Sequence, residues 1–177
     1  MKRQQKAPDL AEEQRTTATG LARYAYDYID AARVVNERDK ERDPRSPISP
    51  MPAYFLASHG LELTLKAYLL HKGATVSELS GKFGHDLHAC YRKSKELGLL
   101  DIFEEQLDDD QTISLLVKAN RNQELRYIQT GAKHFPWWSH VDALAVRLHQ
   151  AVAPLLGLHT FAPCLAEPLS RGRRLCP

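Results

Sequence analysis

From Leu61 to Leu70 the chain reads Leu-Glu-Leu-Thr-Leu-Lys-Ala-Tyr-Leu-Leu, and no helix built from it can turn all its apolar side chains to one side. At about 100° per residue, Leu61, Leu63, Leu65, Tyr68, Leu69 and Leu70 point in many directions around the axis. Such a helix is stable only where neighbours cover it from several sides, so it is expected at the centre of the fold. Glu62, Lys66 and His71 interrupt the run, which therefore does not make the ~20-residue apolar stretch of a membrane span.

The charges inside this helix need partners. His59, Glu62 and Lys66 are three and four residues apart and share one narrow stripe, flanked by Phe55, Leu69 and Leu70. An unpaired charge there would cost several kcal/mol. Glu62 followed by Lys66 is the favoured orientation of an i, i+4 pair, so a structural ion pair is the first expectation. Two other roles stay open: one of the charges faces a cleft and meets a phosphate or a base, or the stripe lies in a groove at an oligomer contact. His59 and Glu62, with His85, Asp86 and His88, also have spacing that permits metal ligation. The Glu-x-x-His order used with further carboxylates in ferritin-like bundles is missing, and neither a metal nor another cofactor is expected.

Around the central helix the periodicity is helical throughout. Leu10, Gln14, Thr17, Leu21, Tyr24 or Ala25, Tyr28, Ala31 or Ala32 and Val35 predict a long first helix that runs into the charged stretch Asn36 to Asp43. Pro44, Pro47, Pro50 and Pro52 then make a connector, with the second helix starting near Pro52 and closing at Gly73. One helical turn is allowed in the loop after it. A third helix is expected from Asp86 to Leu97 with a stripe of Leu87, Cys90, Tyr91, Ser94 and Leu97. Leu100 to Leu107 is a candidate short acidic helix, and Ile113, Leu116 and Val117 mark a fourth main helix over 109–120. Residues 121–135 leave helix and extended chain both open. Trp137, Val141, Leu144, Leu148, Val152 and Leu155 give a last helix opened by Pro136, which Pro154 should bend or end.

The predicted fold is all-α, an antiparallel bundle of about five helices with short connections and one long first loop. Residues 1–8 are expected to fray, 9–157 to form a single domain, and 158–177 to be a flexible tail carrying prolines and the basic run Arg171 to Arg174. At 177 residues one core suffices. A net charge of +2 is too small to demand a nucleic-acid partner by electrostatics alone. Six acids lie between Asp101 and Asp110, and Lys118, Arg121, Arg126 and Lys133 follow; a solvated face is the plainer reading of both clusters. Cys90, Cys164 and Cys176 lack paired spacing and no secretion signal opens the chain, so a reduced cytoplasmic protein with no membrane attachment is expected.

"HGLELTLKAYLLHKG", followed shortly by "GHDLHACYRKSKELGL", resembles HEPN-domain proteins, over Pro52 to Leu99 most closely. The resemblance implies a HEPN-like bundle with an RNA- or nucleotide-related role, often in toxin–antitoxin or phage-defence systems and often as a homodimer. Glu62, Lys66, His85 and Asp86 match the family pattern, and are read as a binding or structural polar network together with His59. The family's ribonucleases carry Arg, four to six residues, then His, and no arginine of this chain is followed by histidine at that interval. Arg121 and Asn122 resemble the start of that signature, but Arg126 and Tyr127 stand where histidine could fall. Arginine stays protonated and can only stabilise phosphate charge, whereas cleavage through a 2′-hydroxyl needs an acid and a base. The catalytic residues are thus unknown, with Arg121, Asn122, Arg126, Tyr127 and His134 as weak candidates.

Three functions compete: a HEPN-like RNA-, nucleotide- or partner-binding module without the usual nuclease chemistry; a divergent metal-independent ribonuclease acting at a dimer cleft; and a structural or regulatory helical protein whose acidic segment meets a basic cognate partner. The missing histidine favours the first and leans against an enzyme.

Overall fold

A computed structural model of the chain describes residues 15–45, 50–120, 125 and 134–162. Among them are six α-helices and no strand: α1 (Ala18–Arg42), α2 (Met51–His71), α3 (Val76–Ser80), α4 (Leu87–Glu96), α5 (Asp109–Ala119) and α6 (Trp138–Val152), with 3₁₀ turns at Leu99–Asp101 and Ala153–Leu156. The all-α bundle is as predicted, with the loop turn realised as α3.

The central position of α2 follows from its composition. Eleven of its 21 residues are buried, against five of the 25 in α1, and it packs on α1, α4 and α6 at once. The side it gives to α1 is unlike its leucine-rich remainder. Ala53, Ala57, Gly60, Thr64 and Ala67 recur at four- and three-residue steps, and Ala22, Ala25, Ile29 and Ala32 answer from α1, all nearly inaccessible to water. Small side chains let the two backbones approach. A Cβ placed on Gly60 would lie 2.6 Å from Ile29 Cγ1 and 3.2 Å from the Ala25 carbonyl oxygen. The Thr64 hydroxyl donates to the Gly60 carbonyl at 2.9 Å, so the only hydroxyl in that seam brings no unmet polar group into it. The pair is antiparallel, since the end of α1 (Val35, Arg38, Asp39, Glu41, Arg42) lines one cleft with Pro50 and Pro52 at the start of α2.

Helix ends follow local chemistry. The Thr17 side chain accepts from the Gly20 amide at 3.0 Å in extended backbone, so α1 begins at Ala18 and the periodic run is interrupted at Thr17, while Leu10 and Gln14 lie outside the described residues. Pro52 sits in the first turn of α2, and Gly73 at φ +96° follows its last residues, where the left-handed backbone suits glycine. Thr75 and Glu78 form a capping box on α3, and Asp86 caps α4 by accepting from the Ala89 amide at 2.9 Å.

Two expectations need correcting. Leu100 to Leu107 is not a helix beyond the 3₁₀ turn. Asp101, Glu104, Glu105 and Asp108 would stack like charges three and four residues apart on such a helix. The segment is instead pinned outward to its neighbours: Tyr91 donates to Glu105 Oε1 at 2.6 Å, Lys95 to the same oxygen at 2.9 Å, and Arg147 to the Glu104 carbonyl at 2.9 Å and to Asp109 Oδ1 at 2.6 Å. In the last helix the stripe Val141, Leu144, Leu148 and Val152 is buried, but Trp137 and Leu155 are exposed because the helix starts after the first and Pro154 ends it before the second.

Gly60→Val is expected to lower stability by about 3 kcal/mol through overpacking against Ala25 and Ile29, a drop of roughly 6–12 °C in Tm for a chain of this size. Thermal unfolding followed by circular dichroism checks this. An unchanged Tm would mean that the α1–α2 contact is slack.

Candidate functional site

The polar stripe of α2 meets the start of α4. Glu62 is the hub: Lys66 Nζ donates to its Oε1 at 2.7 Å, and His85 Nδ1 lies 3.1 Å from the same oxygen and 3.4 Å from Oε2. Lys66 also donates to the Gly84 carbonyl, so one ammonium ties α2 to the loop that leads into α4. The Glu62 and Lys66 side chains are 10% and 12% exposed, whereas that of His85 is half open to solvent. An ionised carboxylate only accepts, so His85 presents its Nδ1–H to Glu62 and, when neutral, keeps a lone pair on Nε2.

Local backbone explains this convergence. Gly84, at φ +48°, turns the chain so that its carbonyl faces Lys66, and the Asp86 N-cap fixes the start of α4 directly after His85. Asp86 thus contributes by capping α4 rather than by meeting Lys66. His59 lies one turn before Glu62 and packs edge-on to Tyr28 of α1 at 4.5 Å, with the Phe55 ring parallel at 6.3 Å. His59 therefore extends the stripe toward α1, while Glu62, Lys66 and His85 extend it toward α4.

Cys90 sits below the cluster, fully buried on α4. Burial pushes its thiol up to about 12, with Glu62 and Asp86 raising it further and Lys66 opposing. A thiol held protonated is a poor nucleophile, and Cys90 acts as a small apolar side chain. Among the described residues, no group of three or more His, Cys, Asp or Glu is placed to hold a metal ion.

Of the remaining candidates, Arg121, Asn122, Arg126 and Tyr127 lie outside the described residues. His134 is described, exposed at the head of the segment that leads to α6. That segment is tied to α2, where the Tyr54 hydroxyl donates to the Pro136 carbonyl at 2.9 Å and its ring stacks on Phe135 at 4.5 Å.

A second polar cluster, absent from the sequence reading, joins α4, α5 and α6. Tyr91, Lys95, Glu105, Asp109 and Arg147 form it, and the Arg147 guanidinium lies 5.2 Å from the Phe103 ring centre. Burial, and then the hydrogen bond to Glu105, hold the Tyr91 phenol protonated well above its usual range, while that bond lowers Glu105. Part of the acidic segment is thus spent inside the protein. The one visible signal was an arginine on the last helix facing an acidic stretch.

No helix among the described residues is long and apolar enough to cross a membrane. No family model matches the chain, and neither a curated protein nor a solved structure matches it.

Glu62→Ala leaves the largely buried Lys66 ammonium with only the Gly84 carbonyl as partner, and is expected to cost about 3 kcal/mol in urea unfolding. Adding Lys66→Met should recover part of that loss. Equal urea midpoints for Glu62→Ala and the parent would show that the pair supports nothing. With Cys164→Ser and Cys176→Ser in place, Cys90 is expected to resist iodoacetamide at pH 8 until denaturant is added, as read by mass spectrometry. Rapid native alkylation would contradict its burial.

Proposed function

We propose that this chain is a HEPN-like helical module that works by binding RNA, a nucleotide or a cognate partner protein, and does not itself cut RNA. The observation that carries the non-cutting half of the reading, and directs any RNA or partner contact elsewhere than this stripe, is the internal use of the α2 stripe: Glu62 takes Lys66 and His85 together, and Lys66 is further engaged by the Gly84 carbonyl. Neither side chain is left as a bare phosphate-binding group. Lys66 holds its charge against a carboxylate 2.7 Å away, which cancels much of its attraction for an anion. Cleavage through the 2′-hydroxyl also needs an acid and a base, and the spacing that supplies them in HEPN ribonucleases does not occur in this chain. The resemblance of Pro52 to Leu99 to HEPN proteins supports a role beside a partner, in a toxin–antitoxin or phage-defence setting and as a homodimer.

Purified protein incubated with single-stranded RNA in EDTA is expected to leave it intact, as resolved on denaturing gels. Metal-independent cleavage that disappears in His134→Ala or Arg121→Ala would replace this reading with that of a divergent ribonuclease.

A further inference from the structure

The chain does not leave the bundle at the end of α6. After the 3₁₀ turn Ala153–Leu156 and Gly157 at φ +70°, residues 158–162 run back over α1 and α6 without regular secondary structure. Three contacts hold them. Phe161 is 6% exposed and stacks on Tyr26 of α1 at 4.3 Å with rings 16° apart, with the Arg33 guanidinium 5.8 Å from its centre. Gln150 of α6 donates to the Phe161 and Ala162 carbonyls at 3.1 and 3.2 Å. The third contact is His149.

His149 is fully buried, with Nε2 3.0 Å from the Ala22 carbonyl and Nδ1 2.6 Å from the Thr160 hydroxyl. A carbonyl only accepts, so Nε2 carries the proton in the neutral ring and Nδ1 accepts from Thr160. One imidazole thus joins α1, α6 and the returning strap, and Tyr26 and Phe161 pack on it at 5.7 and 5.4 Å. The charged groups around this socket are few. From α1 there is Arg33, paired at 3.1 Å with Asp142 two turns back on α6, and the strap adds an exposed His159. The ionic side chains of α2, Glu62 and Lys66, are turned to the start of α4. Among the described residues, nothing anionic touches the ring.

We propose that the strap 158–162 is a detachable latch on the α1–α6 seam, released when His149 is protonated, and that its release uncovers Tyr26 and the His149 ring while the helices stay folded. Protonation places a cation in an aromatic socket that, among the described residues, has no carboxylate in contact with the ring and has the Arg33–Asp142 pair at its edge. Lifting the strap is the shortest way to bring water to it. Thr160 and Phe161 belong to the strap, so the ring loses its lid without the loss of a helix.

Direction follows from linkage. Burial lowers the pKa of His149 below its ordinary 6.5, so the closed form binds fewer protons than the open form. Closure is fully favoured above 6.5 and is lost as the pH falls toward the closed-state pKa. Across that window the opening equilibrium rises about tenfold per pH unit.

The test is a pH titration of the whole chain by NMR. It follows nuclear Overhauser contacts between Phe161 and Tyr26, with contacts between Ile29 and Gly60 as the record of the intact bundle. Acidification is expected to remove the first set and leave the second, with a midpoint that tracks the His149 imidazole resonances. In His149→Gln, whose amide can donate to Ala22 and accept from Thr160 without titrating, the Phe161–Tyr26 contacts should persist to the same low pH. Should that variant not fold, Phe161→Ala serves: its Gln150 side-chain amide should be released at neutral pH with the α1–α2 contacts kept. The latch is overturned if Phe161–Tyr26 and Ile29–Gly60 contacts vanish together, if the strap stays closed once His149 has titrated, if His149→Gln opens with the parent's midpoint, or if Phe161→Ala leaves the Gln150 amide held.

Discussion

At Gly60 there is no room for a methyl group between α2 and α1, and most of the architecture is positioned from that contact. Two helices that touch through alanine, glycine and threonine sit closer than leucine-lined helices can, and their remaining faces are thereby fixed in angle. With one side of α2 occupied by α1, its larger residues Tyr54, Leu61, Leu65, Tyr68 and Leu69 must find cover elsewhere, and α4 and α6 supply it. The same contact brings Tyr28 to His59 and leaves Glu62 and Lys66 directed to the start of α4.

The polar groups follow a common rule. Among the described residues, three cations drawn partly out of water are met by carboxylates or main-chain carbonyls: Lys66 by Glu62 and Gly84, Arg147 by Asp109 and Glu104, Arg33 by Asp142. These contacts contribute modestly to net stability, because desolvation offsets much of the attraction. Their effect on geometry is larger. They fix the polar backbone of the loop before α4 and of the acidic connector before α5, each of which is otherwise anchored by one buried phenylalanine, Phe83 and Phe103.

What the sequence disclosed, and what it hid, divides by range. The all-round apolar character of Leu61 to Leu70 located the central helix, and Pro52, Gly73 and Asp86 marked helix ends because capping is chemistry between near neighbours. The Glu62–Lys66 pairing is of the same local kind. Gly60 went unread because a glycine in an apolar helix shows only a weakened propensity, and its reason lies in Ile29, on another helix. The contacts of Arg147 with the acidic connector and of His149 with Ala22 join residues far apart in the chain, which no periodicity encodes. Phe161 followed a proline-broken helix with no pattern of its own, so its burial was invisible.

The small-residue seam also bears on how the chain assembles. Its contacts join two helices consecutive in the chain, so closing it restricts less of the chain than contacts between distant helices do, and rewards that restriction at once. The bond between His149 and Ala22 spans 127 residues and that between Tyr54 and Pro136 spans 82, so both await the ordering of everything between them. An α1–α2 hairpin zipped at Gly60 is the natural nucleus, with α6 arriving last to close the bundle. Substitutions in the seam would therefore slow folding, whereas those around His149 would mainly hasten unfolding.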